Sequence, residues 1–326
     1  MSAYMEVRSL AEKYLDKVRQ SGPEDIMAIC PFHTKADGSP EGKPSFAMSV
    51  VTGLWFCHSC KERGTLRTFL RNIGASPLVV DTFYKTLLEE LDEHVSRSKS
   101  KKAVIVNLKE VPLPESTLGL FDFCPLGLLE EGYTEETLRH FDVGYDQKNN
   151  RITFPLRDML GRLLGISGRA TDNHPAKYKV YSEEEYKAWD IPPKHTDKQN
   201  LIWNIDKVYP ELYFTSKPEI ILVEGFKGCM WLHQAGYRNT VATMGSYLSP
   251  TQMMVLERIG GTVYLFFDND PAGHKAYGYV AKMLAKTLTV KIVLYETLQP
   301  TDLSTAELHH VLSTAVDYHR WVLQGV

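Results

Sequence analysis

The apolar positions follow two periods, and the change between them divides the chain. From Glu219 onward, short unbroken apolar runs alternate with helix-spaced segments. Ile220-Ile221-Leu222-Val223 closes on Glu224-Gly225, and Val263-Tyr264-Leu265-Phe266-Phe267 closes on Asp268-Asn269-Asp270 and Pro271-Ala272-Gly273. A third run, Val290 to Tyr295, leads into a polar loop carrying Asp302. Between the runs, Lys227 to Gln234, Pro250 to Ile259 and Gly273 to Thr287 show helical spacing. Strands of four to six residues alternating with helices of roughly ten predict βαβ units on a parallel sheet. In such sheets the working groups gather at the carboxyl ends of the strands, where Glu224, Asp268 and Asp270 fall.

Upstream the pattern differs. Ala3 to Arg19 reads as a helix with Leu10, Tyr14, Leu15 and Val18 on one face. Ser45 to Val50 alternates, Gly53 turns the chain, and Leu54-Trp55-Phe56 returns it, which predicts a hairpin. Thr65 to Ile73 and Leu78 to Leu91 read as two further helices, the first stopped by Gly74. His94 to Lys102 sets Arg97, Lys99, Lys101 and Lys102 among serines without apolar period, as a basic linker does. Leu126 to Phe141 holds a helix with Thr134 as its N-cap, and Glu135 and Glu136 suit its first turn. Short strands with Asp and Gly turns from Asp142 to Arg169 predict a small antiparallel sheet.

Length and composition narrow the class. The chain of 326 residues has room for two or three domains, and 43% apolar with 24% charged residues is the balance of a globular protein. A net charge of −3 is not that of a protein that coats nucleic acid, so any such contact must come from local basic patches. No apolar run reaches the roughly 18 residues of a membrane span, and the N-terminus lacks the design of a signal peptide. Five cysteines, three of them clustered, suit a metal site in a reducing cytoplasm better than a disulfide framework. Cys124 and Cys229, single thiols in apolar surroundings, are expected to pack.

The clustered cysteines carry the first chemistry. Cys30-Pro31-Phe32-His33 and Cys57-His58-Ser59-Cys60 place two ligand pairs in two tight knuckles, so that Cys30, His33, Cys57 and Cys60 can meet tetrahedrally around Zn²⁺. With all four positions filled by protein, the zinc is structural and supplies folding energy to a segment too small for a large core. Phe46, Trp55 and Phe56 are expected mainly in the hairpin core. The second chemistry is acidic. Glu224, Asp268, Asp270 and the later Asp302 repel one another unless a cation neutralises them, and oxygen ligands without His or Cys favour Mg²⁺ or Mn²⁺. Arg151, Arg157, Arg162, Arg169, Lys177, Lys179, Lys194 and Lys198 precede this acidic region, and of them Arg157 and Arg162 are expected on the surface.

These residues resemble a known family. Glu224-Gly225 after one strand and Asp268-x-Asp270-x-x-Gly273 after another look like the Toprim domain, and Cys-Pro-x-His…Cys-x-x-Cys followed by Gly64 resembles the CHC2 zinc-binding domain of DnaG-type primases. Phe154-Pro155-Leu156-Arg157-Asp158, Gly161-Arg162, Gly168-Arg169, Lys177-Tyr178 and Lys198 before Leu201-Ile202-Trp203-Asn204 are similar, in order, to the first half of that family's RNA polymerase domain. The resemblance implies a mixed α/β fold: a zinc ribbon, then a two-part RNA polymerase domain with a Toprim, Rossmann-like parallel-sheet core. The implied division is 1–93 ribbon with flanking helices, 94–105 linker, 106–217 basic subdomain, 218–303 Toprim subdomain and 304–326 C-terminal helix.

It also implies a nucleotidyltransferase that makes RNA primers from ribonucleoside triphosphates on single-stranded DNA. Asp268, Asp270 and Asp302 would hold Mg²⁺ or Mn²⁺, with Glu224 a further ligand or the general base. Arg169, Lys177, Lys179, Lys198 and Lys227 would face them and hold triphosphate and template phosphates. A replicative helicase is the implied partner, in a bacterial or phage-infected cytoplasm. Two departures stand out: the family's Glu-Gly-x-x-Asp reads Glu224-Gly225-Phe226-Lys227-Gly228 here, and Asp302 stands alone in the last acidic motif. The short stretch after Asp302 suggests a stand-alone primase of a phage or mobile element. A Toprim nuclease and a non-catalytic DNA-binding or helicase-loading protein are the alternatives.

Overall fold

The alternating segment around Gly53 forms the centre of the first sheet. Five antiparallel strands follow in chain order: β1 (Arg19–Gln20), β2 (Asp25–Ala28), β3 (Phe46–Ser49), β4 (Trp55–Cys57) and β5 (Arg63–Gly64). Gly53 takes φ +69 in the β3–β4 turn, a conformation that suits glycine. Phe46, Trp55 and Phe56 are all buried, and Phe46 stacks on Trp55 with ring centroids 5.2 Å apart. The N-terminal helix is shorter than expected, Ala3–Tyr14, because the chain turns at Lys17 (φ +54) and Arg19 enters β1. Helix Leu66–Asn72 stands where it was expected, with Gly74 at φ +81 beyond its end.

The structure is a computed structural model and describes residues 3–39, 41–76, 79, 110–172, 174–245 and 247–323. The expected helix Leu78–Leu91 and the linker 94–105 fall outside the described residues, Val79 excepted. By packing, the chain divides into two compact units. One is Met1–Lys109 with Met159–Gly161 and Asp206–Ser216; the other is Glu110–Asp158, Arg162–Ile205 and Lys217–Val326. Asp206–Ser216 thus packs with the ribbon, to which an ion pair between Arg63 and Glu211 ties it, rather than with the segment 106–217. No helix among the described residues is long and apolar enough to cross a membrane.

The second unit holds two sheets. The antiparallel one runs β6 (Gly144–Asp146), β7 (Arg151–Arg157), β8 (Leu163–Ala170) and β9 (Tyr178–Val180). Pro155 sits in β7 beyond the end of β6, where its missing N–H leaves no gap in a ladder. Arg157 and Arg162 are not surface charges as expected: both are buried. Arg157 pairs with Glu115 at 2.7 Å and Asp142 at 3.1 Å, and Arg162 with Asp158 at 2.6 Å. Arginine tolerates such burial because its fork can satisfy several acceptors at once.

The other sheet has the order β11 (Thr240–Ala242), β10 (Glu219–Val223), β12 (Thr262–Leu265), β13 (Thr289–Ile292), β14 (Val316–Asp317), parallel except for the last pair. Helices Phe226–Gln234, Pro250–Ile259 and Pro271–Leu284 connect its strands. The three-residue β11 and two-residue β14 were too short for a periodic signal. β14 also breaks the expected C-terminal helix into Thr305–Ser313 and Tyr318–Leu323. One apolar core joins both sheets: Ile152, Phe154 and Leu156 of β7 meet Ile221 and Val223 of β10 and Phe226, Cys229 and Met230 of the next helix. Phe154 and Phe226 stack at 4.3 Å with a 6° interplanar angle. Cys229 packs as expected, its thiol on the Thr240 carbonyl at 3.2 Å, whereas Cys124 is exposed.

Candidate active site and metal centre

Two strand ends and a later turn build the acidic centre. Glu224 follows the last residue of β10, and Asp268 lies three positions beyond β12. The Asp268 N–H donates to Glu224 Oε1 at 3.2 Å, which links the two ends directly. Asp270 caps helix Pro271–Leu284, its Oδ1 accepting from Gly273 N–H at 2.8 Å. Asp302 accepts from Gln299 N–H at 2.9 Å in a short turn, which the Trp231 indole fixes by donating to the Leu303 carbonyl at 2.9 Å. Gly273 has no room for a side chain: a Cβ there would lie 1.9 Å from the Asp268 carbonyl oxygen and 3.0 Å from Glu224 Oε1.

The acids are uncomfortable as they stand. Burial, with Asp268 and Asp270 beside it, pushes the Glu224 carboxyl up to about 7. Burial also raises Asp268, together with repulsion from Asp270 and Asp302, while Lys177 opposes the rise. Their oxygens suit a hard divalent cation, which would relieve this repulsion.

A cleft of about 460 Å³ opens over Glu224 and Asp268, whereas Asp270 and Asp302 do not line it. Glu224 and Asp268 line it beside Arg169, Lys177, Lys198 and Lys227. Arg169 is half-buried, and its Nε has no hydrogen-bond partner among the described residues. Lys198 Nζ rests on the Met244 carbonyl at 2.9 Å, and Lys227 is ion-paired with Glu131. Lys179 is not brought to the cleft. Its neighbour Tyr178 lines it, and by the alternation of a strand Lys179 turns to an ion pair with Glu185 and lies over the Tyr181 ring at 4.7 Å. The Phe154–Phe226 stack holds the basic and acidic walls in one core.

In the ribbon, the ligand atoms of Cys30, His33, Cys57 and Cys60 all lie within 4.8 Å of one another. Among the described residues no other group of three or more acids, cysteines or histidines converges so closely. Cys30 and Cys60 sulfurs are 4.0 Å apart, and Cys57 Sγ is 3.9 Å from His33 Nδ1. A zinc tetrahedron with Zn–S near 2.3 Å has edges of about 3.8 Å, so the donor set fits Zn²⁺. A hydrogen bond from Cys30, helped by Ser45 and the N–H groups of Cys60 and Ser59, holds the Cys57 thiol well below the usual thiol range. That same shared proton and burial push Cys30 up. Zn²⁺, held by the four ligands, would relieve this competition by taking the place of the protons.

Sequence reasoning missed three supports of these sites. Glu41 Oε1 stands 2.9 Å from His33 Nε2 and accepts from Ser59 Oγ at 2.6 Å, orienting the imidazole from behind. Tyr277 and Tyr295 hydroxyls donate to the Phe267 carbonyl at 3.1 and 2.8 Å and so fix the end of β12. Glu41 belongs to no spacing rule. Tyr277 is the one phenol on the buried stripe Gly273, Ala276, Tyr277, Val280, Ala281, Leu284, which was the available signal.

Comparison with known proteins finds two families along the chain. The CHC2 zinc finger family matches residues 1–103, and the Toprim domain family matches residues 218–294. The DNA primase of Clostridium acetobutylicum is 25% identical over 304 residues, 80% of this chain and 48% of that protein. The DNA primase of Deinococcus radiodurans is 27% identical over 300 residues, 80% and 49%. The chain thus spans about half the length of these relatives. In fold it is similar to the zinc-binding and RNA polymerase domains of the Aquifex aeolicus primase, with a TM-score of 0.56, 20% identity, and coverage of 99% of this chain and 88% of that one. A DnaG primase catalytic domain bound to ssDNA is similar at TM-score 0.51 and 17% identity, covering 74% and 82%. The chain thus carries a CHC2 zinc finger and a Toprim domain, and in their order and in its relatives it is similar to the DnaG-type primases.

Proposed function

We propose that the chain is a DNA-directed RNA polymerase of the primase type, which makes short RNA primers from ribonucleoside triphosphates on single-stranded DNA. One observation carries the reading: Glu224 and Asp268 share a single cleft with Arg169, Lys177 and Lys198. Asp268, Asp270 and Asp302 are the residues that would hold Mg²⁺ or Mn²⁺. Two such cations, when bound, supply charge neutralisation at the triphosphate and activation of the attacking hydroxyl. Glu224, bonded to the Asp268 N–H, stands where it can serve as a further ligand or as the base that accepts the proton of the primer 3′-hydroxyl. Lys177 and Lys198 present point charges to phosphates, and Arg169 presents a fork. Catalysis is then mostly positioning and charge neutralisation. Cys30, His33, Cys57 and Cys60 would hold the structural zinc, and the ribbon around it would read the template start. Relatives of this chain are DNA primases, and one similar structure holds ssDNA. A replicative helicase is the proposed partner.

The test is incubation with mixed-sequence single-stranded DNA, four ribonucleotides and Mg²⁺ or Mn²⁺, with products resolved on a sequencing gel. A ladder of short, RNase-sensitive products is expected. Asp268→Ala should lower it on the order of 10³-fold while DNA binding persists. Shortened template without ribonucleotide incorporation would overturn the reading in favour of a nuclease.

A further inference from the structure

Between Asp270 and Glu296 the chain carries no acidic residue, although its net charge is −3. That stretch contains helix Pro271–Leu284, whose buried stripe faces the sheet. On its solvent side Lys275, Tyr279, Lys282 and, just past its end, Lys286 follow one another at spacings of four, three and four, so they form one row. All four are exposed, and none of the three lysines has a carboxylate partner among the described residues. The row extends for about 16 Å along the helix axis. Tyr247 packs against it, stacked on Tyr279 with centroids 5.9 Å apart and planes at 20°. Both rings stay wet, 54% and 45% exposed, so the stack covers no core.

Both elements leave the catalytic cleft. Tyr247 comes two residues after Gly245, which lines it, and the helix starts at Pro271, three residues after the cleft-lining Asp268. Ammonium groups without carboxylate partners, in a row beside open aromatic faces, are the two components of a single-strand binding surface: charge for the backbone, rings for the bases. We propose that this helix face, with Tyr247, is a track for single-stranded DNA continuing beyond the cleft. Lys275, Lys282 and Lys286 contact phosphates, and the Tyr247–Tyr279 stack takes a base. The proposal rests on the primase reading above for the identity of the strand. Charge complementarity selects a polyanion, and the rings select one with exposed bases.

The experiment measures binding of the full-length, zinc-loaded chain to a long fluorescent oligothymidylate by anisotropy across a salt series. Replacing Tyr247 and Tyr279 together by Ala should weaken binding about tenfold, while the double Phe variant, which keeps the rings, stays within about twofold. Replacing Lys282 and Lys286 together by Gln should reduce the slope of log affinity against log salt by about 1.4, that is about 0.7 per phosphate contact. Unchanged affinity and slope would overturn the track and leave the face to an acidic protein partner. Equal loss in the Ala and Phe pairs would overturn the stacking role. Primer synthesis by the unaltered chain on the same strand separates the two readings. Absent synthesis with the stated binding losses keeps the track and removes the polymerase; synthesis with no binding losses does the reverse.

Discussion

The ribbon centre and the acidic centre are both metal-type sites, yet they are built in opposite ways. In the ribbon, four ligand atoms already lie within 4.8 Å of one another, and their orientation is backed by Glu41 and by backbone N–H groups. Those ligands come from two knuckles 24 residues apart in sequence, His33 to Cys57, at the ends of β2 and β4, the two strands that flank β3. In the acidic centre, Glu224, Asp268, Asp270 and Asp302 come from three loops, converge less tightly and carry repulsion. A closed shell of soft ligands serves stability; an open set of strained carboxylates leaves room for substrate and gives incoming cations something to relieve. The ribbon is organised by its ligands, whereas the acids are organised by backbone and core.

The sharpest way to break this contrast is Gly273→Ala. The added methyl would meet the Asp268 carbonyl and Glu224 at once, so a stability loss of about 3 kcal/mol and loss of primer synthesis are expected, with zinc content unchanged. Denaturant melts and metal analysis of the same sample check both halves. Loss of zinc as well would mean that the two centres are not independent.

Next in size is Glu41→Ala. Removing the carboxylate behind His33 should lower zinc affinity about 10- to 100-fold, read by competition with a chelator. No change would show that the knuckles alone orient the ring.

The smallest effect separates the acids by pH. Because the folded Glu224 keeps its proton to about 7 and the unfolded one to about 4.5, the folded state binds more protons in that window. Stability of the cation-free protein should therefore fall as pH rises from about 5 to about 7, by on the order of 2 kcal/mol from this group. Glu224→Gln should flatten that slope in thermal melts, and Mn²⁺ should restore stability at the upper end but not the lower. An identical slope in the variant would remove Glu224 as its source.

Much of the molecule was legible because its signals are local. Two Cys/His pairs at x₂ spacing, Gly53 between alternating runs, and apolar runs ending in acid each announce themselves within a few residues. The short strands β11 and β14 did not, because two or three residues carry no period and are held only by their neighbours. Arg157 and Arg162 read as surface charges because sequence shows the cation and not the acids that fold onto it.

By itself, then, the sequence determined which chemistries this protein carries and on which elements: soft ligands on two knuckles, carboxylates at strand ends, cations ahead of them. These follow from side-chain type and short-range period, which need no third dimension. Only the tertiary structure decided which of those cations meet the acids. Arg169, Lys177 and Lys198 reach the cleft, while Lys179, one residue past the cleft-lining Tyr178, turns to Glu185. It likewise decided that Gly273 must remain bare and that three lysines without a carboxylate partner among the described residues share one row with a stacked tyrosine pair. Strand alternation, helix phase and the Phe154–Phe226 stack set those outcomes, and each depends on contacts between residues far apart in the chain.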